Sequence, residues 1–197
     1  SETATQATDQ PESTETAAPI EKQRSTFEIT GWKISGADSF VSLIYDYSST
    51  KPSNTYGDLE ISLIGPEENL LGTEYKSAGW SDWGSLHMTS GSYAVPPSGT
   101  YKIVVKDDIG VIFEKDLTLS EANVSILRVS PKWYYSEYWG NSLDYACIEL
   151  LNEGDIPAYI GKMPISVGDE EVTGGVGLMD TEGYVKSGWL EHGNETF

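Results

Sequence analysis

The chain alternates between short β-rich runs and turn signals, and nowhere carries an apolar repeat of helical period and useful length. That pattern commits it to antiparallel sheets joined by tight connections. Phe27-Glu28-Ile29-Thr30-Gly31-Trp32 alternates apolar and polar residues, Phe40 to Tyr47 is dense in β-formers, and Leu59 to Ile64 alternates until Gly65-Pro66. A weaker strand or two falls within Trp83 to Tyr93. Two further runs meet at Asp107-Asp108-Ile109-Gly110, a hairpin turn signal. Ser120-Glu121-Ala122-Asn123 could cap one helical turn at most. A parallel α/β fold would need a helix of roughly 10–15 residues between successive strands, and the sequence offers none.

Gly99-Thr100-Tyr101, opening a strand after Pro96-Pro97, resembles the tyrosine corner of Greek-key sandwiches, in which a tyrosine hydroxyl bonds back to the backbone just upstream. In this reading Tyr101, Ile103 and Val105 face inward while Lys102 and Lys106 face water.

Further along, Leu143 to Val167 reads as a strand, a tight Asn152-Glu153-Gly154-Asp155 turn with Pro157 just beyond it, and a second strand from Tyr159. The expected product is a β-hairpin, with Gly154 supplying a positive φ. The organisation implied is a disordered tether over 1–25, rich in Thr, Glu and Pro, then one β-sandwich over 26–120 and a second over 121–197. The second unit is short for a complete sandwich of about 100 residues, so an incomplete one with an open sheet edge is expected. The connector between the units spans only a few residues, so they should pack against each other.

Charge narrows the partners. Acidic residues number 31 against 12 basic ones, a net charge of −19. The first 25 residues hold five acids and two bases, so most of the charge lies in the folded part. Such a surface repels phosphate backbones and anionic lipid heads, which excludes nucleic acid as a partner. No run of 18 or more apolar residues occurs. The single cysteine, Cys147, excludes an intrachain disulfide and reads as a small buried hydrophobe. His87 and His192 sit in no cysteine-enzyme signature, and nucleotide loops, HExxH, CxxC and GxSxG are missing. The acid pairs and triplet at Glu67-Glu68, Asp107-Asp108 and Asp169-Glu170-Glu171 match no calcium loop and read as solvated turns. Asn123-Val124-Ser125 and Asn194-Glu195-Thr196 are glycosylation sequons. The reading is therefore of a non-enzyme with no cofactor and no metal.

The second unit resembles the CARDB-like group of Ig-like modules, bacterial cell-adhesion-related domains that also occur in archaeal surface proteins. The matching residues are the strand Ala146 to Leu151, the turn Asn152 to Asp155, Pro157-Ala158, and the strand Tyr159 to Val167. Leu190-Glu191-His192-Gly193-Asn194-Glu195-Thr196 also fits the Leu-x-x-Gly-x-x-Thr segment of such modules. The resemblance implies an all-β protein of two Ig-like antiparallel β-sandwich domains. It also implies an extracytoplasmic location, either secreted or attached to a membrane only through an upstream lipid anchor.

One cluster is a candidate contact surface: Trp133, Tyr134, Tyr135, Tyr138 and Trp139 lie within seven residues. Read as exposed, they form an aromatic platform for a cell-surface protein or a glycan. Read as buried, they wedge between the two units or cap a sandwich end, and that reading is the first expectation. Trp80 and Trp83 pose the same alternative. The function expected is non-catalytic binding or adhesion at the cell surface, with self-association through an open sheet edge as an added prospect. The alternative is an accessory carbohydrate-binding module using Trp133, Tyr135 and Trp139.

Overall fold

The structure, a computed structural model, describes residues 24–52, 57–160, 165–167, 170–172 and 188–196. The expected tether falls almost wholly outside these residues; Arg24 and Ser25 alone are described. The protein is all-β, with every sheet antiparallel and no helix among the described residues.

Among the described residues, seven strands build the first unit: β1 (Thr26–Ala37), β2 (Phe40–Thr50), β3 (Asp58–Ile64), β4 (Leu70–Ser77), β5 (Ser81–His87), β6 (Gly99–Lys106) and β7 (Val111–Leu119). One sheet has the order β1-β2-β5 and the facing sheet β4-β3-β6-β7. The period-2 patterns read from the sequence point inward as expected. Leu43, Tyr45 and Tyr47 from the first sheet meet Leu59, Ile61, Leu63, Tyr101, Ile103 and Val105 from the second. Phe27 stacks on Tyr47 with ring centroids 5.2 Å apart and meets Phe113 edge-on. β4 was not foreseen, because Leu70 to Ser77 lies at a sheet edge, half exposed, and carries no clean alternation.

The tyrosine corner is present. The buried Tyr101 donates its hydroxyl to the Pro97 carbonyl at 2.6 Å, and burial pushes its pKa up to about 12. Tyr101→Phe should cost about 1–2 kcal/mol in urea unfolding, the usual value of one buried hydrogen bond whose acceptor is left unmet.

The β6–β7 turn is fastened by Asp107. Its Oδ1 accepts from the Ile109 and Gly110 amides, each at 2.9 Å, and from Arg24 at 2.9 Å. Arg24 first, then those amides, hold the Asp107 carboxyl below its ordinary value of 3.8. A depressed folded-state pKa stabilises at pH above the ordinary value and ceases to as pH falls through the depressed one. The urea-midpoint gap between wild type and Asp107→Asn should therefore be full near pH 6 and shrink steadily below about pH 4. A gap that stays constant down to pH 2 would show that the charge on Asp107 contributes nothing.

The second unit departs from expectation. Residues Val124–Ser136 form β8 and Gly140–Asn152 form β9, and these two strands are the hairpin. The aromatic segment is the end of β8 and its turn. The strand preceding the Asn152 turn does not pair with the strand that follows it. The chain instead leaves the sheet to form β10 (Ala158–Tyr159), which pairs with β13 (Trp189–Leu190). Between them in sequence lie β11 (Ile165–Val167) and β12 (Glu170–Val172), a short antiparallel pair. β14 (Gly193–Thr196) pairs with β9 over Glu149 to Asn152, giving the order β14-β9-β8.

The corner at Asn152 has a clear physical cause. Its side chain is fully buried. Nδ2 donates to the carbonyls of Ile156 (3.0 Å) and Leu190 (3.3 Å), while Oδ1 accepts from the amides of Asn123 and Gly154, each at 3.0 Å. One amide group thus ties together the start of β8, the turn and β13. Gly154 serves differently from expectation. It is not among the positive-φ glycines; a Cβ there would run into the backbone of Glu121 and Ala122. Ser120 and Asp155 close the same corner reciprocally: the Ser120 amide and hydroxyl donate to Asp155 Oδ2, and the Asp155 amide donates to Ser120 Oγ.

The β10–β13 pair is a partition between two cores. Tyr159 and its partner Trp189 face the core of the first sandwich, together with Ile156. Ala158 and its partner Leu190 face a small second core with Leu150 and Ile160. Alternation along two residues is enough to serve both sides. Trp189 lies against Gly36, where a Cβ would collide with the indole, and its Nε1–H donates to the Asp38 carbonyl at 3.2 Å. Tyr159 packs between Trp189 and Tyr93, with centroid separations of 5.0 and 4.7 Å.

Candidate functional site

The β8–β9 hairpin forms an arm. Among the described residues β14 pairs with β9 over Glu149 to Asn152, and from Ile148 outward β8 and β9 pair with each other alone. Eleven of the 13 residues of β8 are exposed and none is buried, so neither face is covered among the described residues. Val129 to Ser136, eight residues at about 3.3 Å each, make an arm about 26 Å long.

Cross-strand partners share a face, and successive residues alternate. One face therefore carries Val129, Trp133 and Tyr135 with Leu143, Ala146 and Ile148. At the base it runs into the small core around Leu150. The opposite face carries Arg128, Ser130, Cys147 and Glu149, which line a shallow depression, then Lys132, whose Nζ lies 5.2 Å over the Tyr145 ring. The arm is amphipathic, and its apolar face is open. Cys147 is exposed on the polar face, contrary to the expected burial.

The five aromatic candidates are not one platform. Trp133 (57% exposed) and Tyr135 share the apolar face, and Tyr134 lies on the other, opposite Ser142. Tyr138 and Trp139, 91% and 87% exposed, sit in the turn at the tip. The wedge reading is overturned: none of them fills a gap between units. That position belongs to Trp189, Tyr159 and Tyr93, which sequence reasoning missed. Trp189 sits beside a glycine-rich stretch without periodicity, and its only signal was a bulky apolar pair, Trp189-Leu190, next to Gly188. Trp80 and Trp83 are also exposed, on the first sandwich.

The arm has distinct electrostatics. Residues 124–152 hold two bases and three acids, nearly neutral within a chain of net charge −19. Among the described residues, no group of three His, Cys, Asp or Glu side chains is placed to hold a metal ion. β8 is the outer strand of its sheet, and Pro131 lies within it, as edge strands permit.

Comparison of the chain with protein-family models, with curated proteins and with solved structures gives no match. Fold and surface together define a class: an all-β antiparallel protein with a β-sandwich and a protruding amphipathic β-arm.

Proposed function

We propose that this is a non-catalytic binding protein of the cell surface, a CARDB-like and Ig-like adhesion or structural module that engages a protein partner through the β8–β9 arm. The observation that carries the reading is the arm's uncovered apolar face, which ends in two almost fully exposed aromatic residues. Aromatic side chains are the usual centres of binding energy in an interface. The free edge of β8 adds backbone donors and acceptors that an extended partner segment could pair.

The partner has an apolar strand or groove with a basic surround. The arm itself is nearly neutral and does not repel, while the acidic body steers a cationic partner toward it. A second copy of the chain fits less well, because two molecules of charge −19 repel. An extracytoplasmic location, with membrane attachment through an upstream lipid anchor, accompanies this reading and rests on the family resemblance. The glycan alternative on Trp133, Tyr135 and Trp139 ranks below it, because the apolar face that carries Trp133 and Tyr135 offers few hydrogen-bonding side chains near the rings.

The test is binding of the purified protein to intact cells and to extracted surface proteins of its source. Trp139→Ala, Tyr138→Ala and Trp133→Ala should each lower affinity about tenfold or more, as loss of a hot-spot aromatic does. Their thermal midpoints should not move, because these side chains pack on no core. Binding should also slow as salt rises. Unchanged binding by the triple variant would refute the arm as the contact surface, and measured turnover of a substrate would refute the non-catalytic reading.

A further inference from the structure

A second site lies on the first sandwich, away from the arm. Between β4 and β5 a depression of about 440 Å3 is lined by Tyr47, Tyr75, Lys76, Ser77, Trp80, Ser81 and Asp82. The volume is in the range of small-ligand sites. Tyr75 and Trp80, which line this open depression, are each 66% exposed. Trp83, also exposed, flanks the depression with Lys76 Nζ 6.0 Å from its ring centroid.

The backbone that carries Trp80, and the Lys76 ammonium, are held in place. The buried Ser49 makes four bonds to the segment that carries Trp80. Its hydroxyl accepts from the amides of Gly79 (3.0 Å) and Trp80 (3.2 Å), and its hydroxyl and amide donate to the Trp80 carbonyl at 3.0 and 2.9 Å. The backbone of an exposed tryptophan is thus fixed from the core side while its ring is left free. Lys76 is paired with Glu74 at 2.7 Å, and Glu74 is itself fixed by the Tyr45 hydroxyl (2.9 Å) and the Ser85 amide (3.1 Å). Folding stability alone does not call for an exposed indole on an anchored backbone; binding with little loss of entropy does.

We infer that this depression binds a neutral pyranose glycan. Flat rings at its margin stack against the C–H faces of sugars, and the side chains between them supply the directional bonds sugar hydroxyls require. Ser77 donates and accepts, Ser81 accepts while its own hydroxyl donates to Ser48 Oγ at 3.2 Å, Asp82 accepts, and Lys76 donates. The mixture of rings and polar groups in a concavity is what the arm lacks. Anionic glycans are disfavoured by the chain's net charge and by Asp82 and Glu74 beside a single paired lysine. This site is independent of the arm, and either reading can fail without the other.

The experiment is titration of the intact protein, by calorimetry and tryptophan fluorescence, with cello-, xylo-, manno- and chitohexaose, and with heparin oligosaccharide as the acidic control. At least one neutral hexasaccharide should bind. Trp80→Ala and Tyr75→Ala should each weaken that binding about tenfold or more. Both side chains are exposed, so the variants should retain the wild-type circular dichroism spectrum and melting midpoint. Trp139→Ala, at the arm tip, should bind like wild type. The inference is overturned if no neutral hexasaccharide binds, if Trp80→Ala binds as well as wild type, if heparin alone binds, or if Trp139→Ala abolishes binding while Trp80→Ala does not.

Discussion

Replacing Trp189 by alanine is expected to lower folding stability by about 3–5 kcal/mol, the cost of deleting a large buried aromatic and leaving part of its volume empty. Three contacts make the site unable to collapse. The indole lies on Gly36, which has no side chain to move inward. Tyr159 is held on its far side by Tyr93. The Asp38 carbonyl, in the β1–β2 turn, loses its donor. Trp189→Phe separates these effects: it keeps most of the apolar contact and forfeits the hydrogen bond, for about 1–2 kcal/mol. Urea unfolding followed by circular dichroism measures both. If Trp189→Ala costs less than about 1 kcal/mol, the partition does not join the two cores energetically. Local opening of the second unit should accompany the global loss, seen as faster amide exchange at Leu150 and Leu190.

Asn152→Ala should be nearly as severe, at about 3–4 kcal/mol, for a different reason. The alanine packs no worse by volume than a small cavity, but four backbone groups lose their partner at once: the amides of Asn123 and Gly154 and the carbonyls of Ile156 and Leu190. Asn152→Asp should not rescue it. A carboxylate keeps the two acceptor contacts but cannot donate to the two carbonyls, and it brings a charge into a fully buried position. Asn152→Leu is the informative control. If leucine is tolerated, the position is an apolar core site in which the amide bonds are incidental. If it fails like alanine and aspartate, the bonding pattern of the amide is what turns the chain.

The parts of this architecture that the sequence disclosed are those decided locally. The tyrosine corner needs only Tyr101 and a carbonyl four residues upstream, and the β6–β7 turn needs only Asp107 and the two amides that follow. The inward faces of β3 and β6 follow from alternation alone. What the sequence concealed was partner choice. The strand before the Asn152 turn could pair with the strand after it or with the one before it, and both are β-rich. The side-chain amide of Asn152 decides by reaching residues 29 positions before and 38 after it, which no local window contains. Exposure was equally hidden. A dense group of Trp and Tyr has the composition of a core, and only the exposures along the hairpin show that these rings enter none among the described residues. The anchored Trp80 was hidden for a related reason, since its meaning comes from Ser49 on a different strand.

The arm has a consequence for how such a molecule can change over generations. Its base is fixed by Asn152 and the small core, whereas Tyr138 and Trp139 at its tip support nothing behind them. Substitutions at the tip therefore carry almost no penalty in folding, and the turn between Ser136 and Gly140 can accept new residues while the scaffold persists. Under the proposed function, variation in what the arm contacts is uncoupled from the requirement that the chain fold, so a lineage could exchange one partner for another without passing through unstable intermediates.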